Sequence, residues 1–203
     1  MRLNRVLPLI LSLALLLSFF APHVEARKKK KTVTDQFLSA IDTALIQEPK
    51  DQEVCFSPEE RCDIKLQKFV QSAKKSIDVA AFDINLDQLV HQLLVASKKM
   101  PVRIVVDARQ AKGAYSLAPL LIKAGAQIRL GRQRGLMHHK FTLVDGKMLQ
   151  TGSFNYTNHA SKANHENQIY LSNPTVIKRY QQHFEGLWEN ARSPNSIRDA
   201  SLR

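Results

Sequence analysis

The chain has 203 residues, 44% of them hydrophobic, with 30 Lys+Arg against 18 Asp+Glu and a formal net charge of +12. That length and apolar content set aside a disordered chain and fit one soluble domain with a real core. So basic a surface attracts polyanions, which makes nucleic acid and anionic membrane the partners to weigh, and charge alone does not choose between them.

The first 26 residues differ in kind from the rest. Arg2 and Arg5 precede an apolar run from Val6 to Ala21, and Val24-Glu25-Ala26 offers small residues for cleavage. This is the order of a secretory signal peptide, and the run is shorter than the ~20 residues of a full membrane span. It predicts a periplasmic or secreted protein. The basic block Arg27–Lys31 resists translocation and keeps an uncleaved membrane anchor as the alternative. Residues 27–50 then read as a basic linker and a short helix over Thr34–Gln47, with Phe37, Ile41, Ala44 and Leu45 on one face.

One domain is expected over residues 51–192, with 193–203 as a tail. A strand is predicted at Glu53–Phe56, and Leu66, Phe69, Val70 and Ala73 have helical spacing. Ser76–Ile84 reads as a strand, Leu86 to Leu94 as a helix, Val102–Val106 as a strand and Leu117–Ala124 as a helix. Alternation of this kind predicts an α/β fold, a mixed and mostly parallel sheet with helices on both faces. The last third changes character. Met137–Val144 and Lys147–Thr151 flank Asp145-Gly146, a strong hairpin signal. Glu166–Leu171 is a further strand, and Asn173-Pro174 opens a helix carrying Ile177, Tyr180, Phe184, Leu187 and Trp188. Cys55 and Cys62, an isolated pair in a chain read as exported, suggest a disulfide closing a short loop, with two free thiols as the alternative.

Chemistry concentrates between Met137 and Asn155. On a strand, His138 and Lys140 share a face and His139 takes the other. Ser153 and Asn155 are also two apart, just past the returning strand, so the hairpin can gather a nucleophile, a cation, a hydroxyl and an amide at one sheet end. His139 would serve as nucleophile only if the register slipped. His23, His91, His159, His165 and His183 read as polar surface residues. A metal site from His138, His139, Asp145 and Glu166 uses ordinary ligand types, but strand alternation divides the two histidines.

His138-His139-Lys140, four residues, Asp145, six residues and Gly152-Ser153-Phe154-Asn155 fill every fixed position of the H-x-K-x4-D-x6-G-S-x-N signature. The chain thus resembles the phospholipase D superfamily, and its small bacterial nuclease branch with one motif per chain. Ser57-Pro58-Glu59 and Asn164-His165-Glu166-Asn167 add to the likeness, which runs from about Glu53 to Trp188. The resemblance implies a metal-independent phosphodiesterase that needs no cofactor. His138 would attack phosphorus and form a phosphohistidine. Lys140 and Asn155 would hold phosphoryl oxygens, and Ser153 would order the same pocket. Glu166 would accept from the other nitrogen of His138. Asp145, at the turn, completes the motif as a mainly architectural member. Arg129, Arg132 and Arg134 precede the motif and are either a solvated loop or a track for substrate phosphates.

In-line displacement needs a nucleophile and an acid on opposite sides of phosphorus, and one His138 supplies only one. The expectation is a homodimer with a shared site. A non-specific endonuclease on DNA or RNA fits the basic body. A phospholipid phosphodiesterase of the cardiolipin type is the alternative, favoured if the N-terminal segment stays in the membrane. A catalytically dead nucleic-acid binder is the third reading, and the intact motif argues against it.

Overall fold

The computed structural model describes residues 52–131 and 135–194. The leader, the basic linker and the Thr34–Gln47 helix lie outside the described residues. In chain order the elements are β1 (Gln52–Ser57), α1 (Cys62–Gln71), β2 (Ile77–Ala81), α2 (Asp87–Ser97) and β3 (Val102–Val106), then a 3-10 turn at Gln110–Lys112. There follow α3 (Ala118–Lys123), β4 (Gln127–Leu130), β5 (Lys140–Val144), β6 (Met148–Gly152), α4 (Asn158–Lys162), β7 (Glu166–Leu171) and α5 (Pro174–Asn190).

The seven strands form one sheet in the order β1-β7-β6-β5-β2-β3-β4. The fold is α/β with a mixed sheet, but antiparallel pairings prevail, which corrects the expectation of a mostly parallel sheet. Only β2·β3 and β3·β4 are parallel, while β1·β7, β2·β5, β5·β6 and β6·β7 are antiparallel. The physical reason lies in the connections. Crossover helices α2 and α3 return the chain to run parallel. Asp145-Gly146 instead folds β6 straight back on β5. Both residues have positive φ, 56° and 63°, and Lys147 N–H donates to Val144 C=O at 3.0 Å across the turn. Positive φ at both centres is what a type I′ hairpin turn demands.

Helices cover both faces, and side-chain alternation sorts the core in two. Ile77, Val79, Ala81, Ile104 and Val106 pack with Leu66, Leu89, Leu93 and Leu121 beneath α1, α2 and α3. Ala80, Val105, Phe141, Leu143 and Leu149 face the other way, against Ile177 and Phe184 of α5. All five residues of β2 are buried, as a central strand covered on both faces requires.

A partly exposed ion cluster built on the buried Asp78 fastens α5. Arg103 meets Asp78 through two bonds of 2.7 and 2.8 Å and Glu185 through two more of 2.9 and 2.7 Å. Its guanidinium lies over the Phe184 and Trp188 rings. Bidentate geometry and ring stacking both favour arginine over lysine here. At the opposite edge Cys55 of β1 is disulfide-bonded to Cys62 at the start of α1.

Candidate active site

One end of the sheet gathers the predicted residues. Lys140 opens β5, Gly152 closes β6 immediately before Ser153, Glu166 opens β7, and β2 ends at Ala81 beside Phe82. His138 and His139 precede β5 by assignment, yet the strand alternation continues through them. The His138 ring packs edge-on to Phe82 at 4.7 Å, while His139 packs on Phe141 and His183, on the α5 side. Phe82 N–H donates to the His139 carbonyl at 2.9 Å and holds this register.

Lys140 Nζ lies 2.9 Å from His138 Nδ1 and 2.8 Å from the His138 carbonyl. An ammonium can only donate, so Nδ1 accepts and the proton of a neutral imidazole sits on Nε2. His138 is exposed, whereas Lys140 is buried at 8% exposure. Burial pushes the Lys140 ammonium below its ordinary value, and the nearby Glu166 charge raises it back in part. Burial, then the neighbouring charges of His183, Lys140 and His138, also lower His139.

Glu166 departs from expectation. It does not accept from His138: Ser153 Oγ donates to it at 2.5 Å and Asn164 Nδ2 at 2.9 Å. Lys140 occupies the imidazole nitrogen that the carboxylate was expected to take. Ser153 Oγ in turn accepts from Asn167 N–H at 3.0 Å, and Ser153 N–H donates to the Asn167 carbonyl. This crossing is so close that a Cβ on Gly152 would stand 2.2 Å from the Asn167 carbonyl oxygen. Only glycine fits there. Asn155, two residues past Ser153, has its Oδ1 buried with no hydrogen-bond partner among the described residues.

Asp145 is not in this group. It lies beyond the far end of β5, five residues from Lys140, or roughly 16 Å along an extended strand. Its carboxylate accepts from the backbone N–H groups of Lys74, Lys75 and Ser76 at 2.7–3.0 Å. The motif aspartate therefore anchors the hairpin to the turn before β2. The same distance breaks up the rival metal set, since Asp145 is remote and His139 faces away from His138. Among the described residues Cys55, Glu60 and Cys62 do cluster closely enough to ligate an ion, but both sulfurs are joined to each other.

Arg129 belongs to β4, and its guanidinium donates to the Trp188 carbonyl at 2.6 Å and stacks on the Trp188 ring. It is committed to holding α5, not to a substrate track. Arg132 and Arg134 lie outside the described residues.

Asp107, which the sequence reading passed over, supports the site from beneath. At 2% exposure it accepts from Arg109 N–H at 2.9 Å, Gln110 N–H at 3.2 Å and Met137 N–H at 3.1 Å. The last contact fixes the residue before His138. Gly131 backs the same residue, since a Cβ there would stand 2.5 Å from Met137 Cβ. The available signal was an acid at the carboxyl end of a parallel strand, the place where α/β sheets build sites.

Residues 66–188 match the family model described as cardiolipin synthase, PLD-like domain. The chain belongs to the phospholipase D superfamily. It is 37% identical over 122 residues to a mitochondrial cardiolipin hydrolase of Chlamydomonas reinhardtii, covering 60% of this chain and 55% of that protein. The human mitochondrial cardiolipin hydrolase is 31% identical over 159 residues, covering 78% of this chain and 63% of its own. In the first of these relatives the chain spans little more than half the length. Nuc from Salmonella typhimurium, a phospholipase D family member, superposes with a TM-score of 0.66 at 29% identity, over 70% of this chain and 96% of Nuc. Its fold thus repeats nearly all of the Nuc fold.

Proposed function

We propose that this superfamily phosphodiesterase cleaves nucleic acid, DNA or RNA, through a phosphohistidine on His138 and without a metal. The observation that carries the chemistry is His138 Nδ1 held 2.9 Å from Lys140 Nζ on one side of the sheet end, beside the Ser153–Glu166 pair. A phosphoryl oxygen arriving at Lys140 draws Nζ from Nδ1. The proton then moves to Nδ1, and Nε2 attacks phosphorus with its lone pair. As the P–N bond forms, the bond to the leaving oxygen breaks. Lys140 and Asn155 Nδ2 donate to the non-bridging oxygens, where negative charge grows.

The leaving oxygen needs a proton from the side opposite His138. A second chain related by a two-fold axis supplies it most simply, from its own His138. Water then attacks the phosphohistidine, and that second imidazole takes its proton. Nucleic acid is favoured by the net charge of +12 and by the exposure of His138 and Ser153, which suits a long polyanion lying across the surface. The leader sequence supports an exported enzyme, and the Cys55–Cys62 bond fits an oxidising compartment.

The relatives named as cardiolipin hydrolases support a second reading, a phosphodiester of an anionic lipid at the same dyad. One experiment separates the two. Purified protein is incubated in excess EDTA with plasmid DNA, RNA and cardiolipin vesicles in parallel. Cleavage of DNA or RNA that outpaces lipid turnover supports the proposal. Phosphatidic acid release with intact nucleic acid transfers it to the lipid reading, and loss of all turnover in EDTA, restored by a divalent ion, overturns the metal-free route.

A further inference from the structure

On the face of the sheet opposite the His138 ring, His139 and His183 bring their Nε2 atoms to 3.0 Å from each other. We infer that this pair is a binding site for a borderline transition-metal ion, Zn²⁺ first among them. Zinc binds imidazole nitrogen at about 2.0–2.1 Å in tetrahedral geometry, so two nitrogens sharing one ion stand roughly 3.3–3.4 Å apart, a separation reached here by a side-chain shift of a few tenths of an ångström. The ring centroids are 4.8 Å apart with planes at 78°. Without an ion the contact is an N–H···N hydrogen bond between the two Nε2 atoms, and an ion entering there takes the place of the single shared proton, which is released to solvent.

The pair is also held in place before any ion arrives. His139 is fixed by the Phe82 bond to its carbonyl and by edge contact with Phe141 at 5.7 Å. His183 precedes Phe184, the fully buried anchor of α5, and its ring also lies near Phe141. Both imidazoles are exposed, and a groove of about 440 Å³ lined by His139, His183, Gln182 and Leu187 opens beside them. Water can enter there to complete the coordination. Two neutral imidazoles without carboxylate select zinc, nickel or copper and discriminate against magnesium and calcium. A bound ion would join α5 to the residue that adjoins the nucleophile. This inference stands apart from the phosphodiesterase reading, because the ion sits on the other side of the chain from the His138–Lys140 contact.

Zinc binding to the full chain is measured by calorimetry without substrate, alongside His183→Gln and His183→Phe; the phenylalanine keeps the ring contact with Phe141. Ions held elsewhere on the chain bind equally to all three proteins and cancel. The wild type should take up one additional zinc per chain, and both variants should bind that ion at least about tenfold more weakly. Zinc should raise the wild-type melting temperature more than theirs, while magnesium should not. Both variants should keep metal-free turnover of a chromogenic aryl phosphodiester, which shows that they fold. Equal zinc uptake by wild type and a folded variant overturns the site. So does stabilisation by magnesium as strong as by zinc.

Discussion

Asp107 accepts a hydrogen bond from the Met137 N–H at 3.1 Å, so the end of β3 fixes the residue that precedes His138. The other carboxylate oxygen serves Arg109 and Gln110. Three backbone donors thus converge on one buried acid, and only one of them leads to the nucleophile.

Asp107→Asn should expose this division. The amide oxygen can keep Arg109 and Gln110, which turns its NH₂ group toward Met137, donor against donor. Losing that contact should cost about 1–3 kcal/mol of stability. Displacing His138 by even a fraction of an ångström should lower kcat on the order of 10- to 100-fold with KM little changed. A destabilised variant with wild-type kcat would show that Asp107 only supports the fold.

His138 and His139 differ by one residue and should differ entirely in consequence. His138→Ala removes the group that Lys140 contacts and should abolish turnover. His139→Ala removes packing against Phe141 and His183, so it should cost stability yet leave a substantially active enzyme. Single-turnover rates on a chromogenic phosphodiester check this, with circular dichroism confirming the fold. Equal loss of activity in two folded variants would sink the assignment.

Much of this site was legible because the hairpin is local. Asp145-Gly146 dictates the β5–β6 turn, and alternation along the strand then puts His138 with Lys140 and His139 opposite. The Glu166 partner was not legible, because whether a carboxylate meets an imidazole or a serine depends on side-chain reach across three strands. β4 escaped notice for a different reason. Gln127–Leu130 is four residues long with two polar positions, and its strand character comes from pairing with β3. Once β4 is recognised, Arg129 ceases to be a loop residue. The mostly parallel expectation failed because the crossovers end at β4 and every later connection reverses direction.

Asp145 makes a pH-dependent contribution whose sign follows from its partners. Burial raises its pKa, but the N–H groups of Ser76, Lys75 and Lys74 outweigh that and hold the carboxyl below its ordinary value. A depressed native pKa means that the contribution is complete above the unfolded carboxylate value, about 3.9, and is lost as pH falls through the lower native one. Asp145→Asn preserves a residue type that tolerates positive φ while removing the charge. Urea unfolding at pH 7 should show a deficit of about 1–2 kcal/mol. The deficit should shrink as pH drops below 4, and a gap that stays constant with pH would refute the ionic origin.

The shared site makes the most demanding prediction. In the proposed reaction one His138 attacks while a second, from another chain, protonates the leaving oxygen. Each dimer then has one working centre, and replacing either His138 disables it. Wild-type and His138→Asn chains are mixed, unfolded and refolded together, so that dimers form at random. Only dimers of two wild-type chains should turn over, and activity per total protein should follow the square of the wild-type fraction. Monomers, or dimers with two self-sufficient sites, give a straight line instead. Tagged chains verify exchange, and saturating substrate removes any effect of weaker binding by mixed dimers. The square law distinguishes sharing of chemistry from mere association, because a protein can dimerise and still complete its reaction within each chain. A straight line would require the second proton donor to lie in the same chain. Among the described histidines His139 pairs with His183 of α5 and His91 belongs to α2, leaving His159 and His165, near α4 and the start of β7, as the residues to replace next.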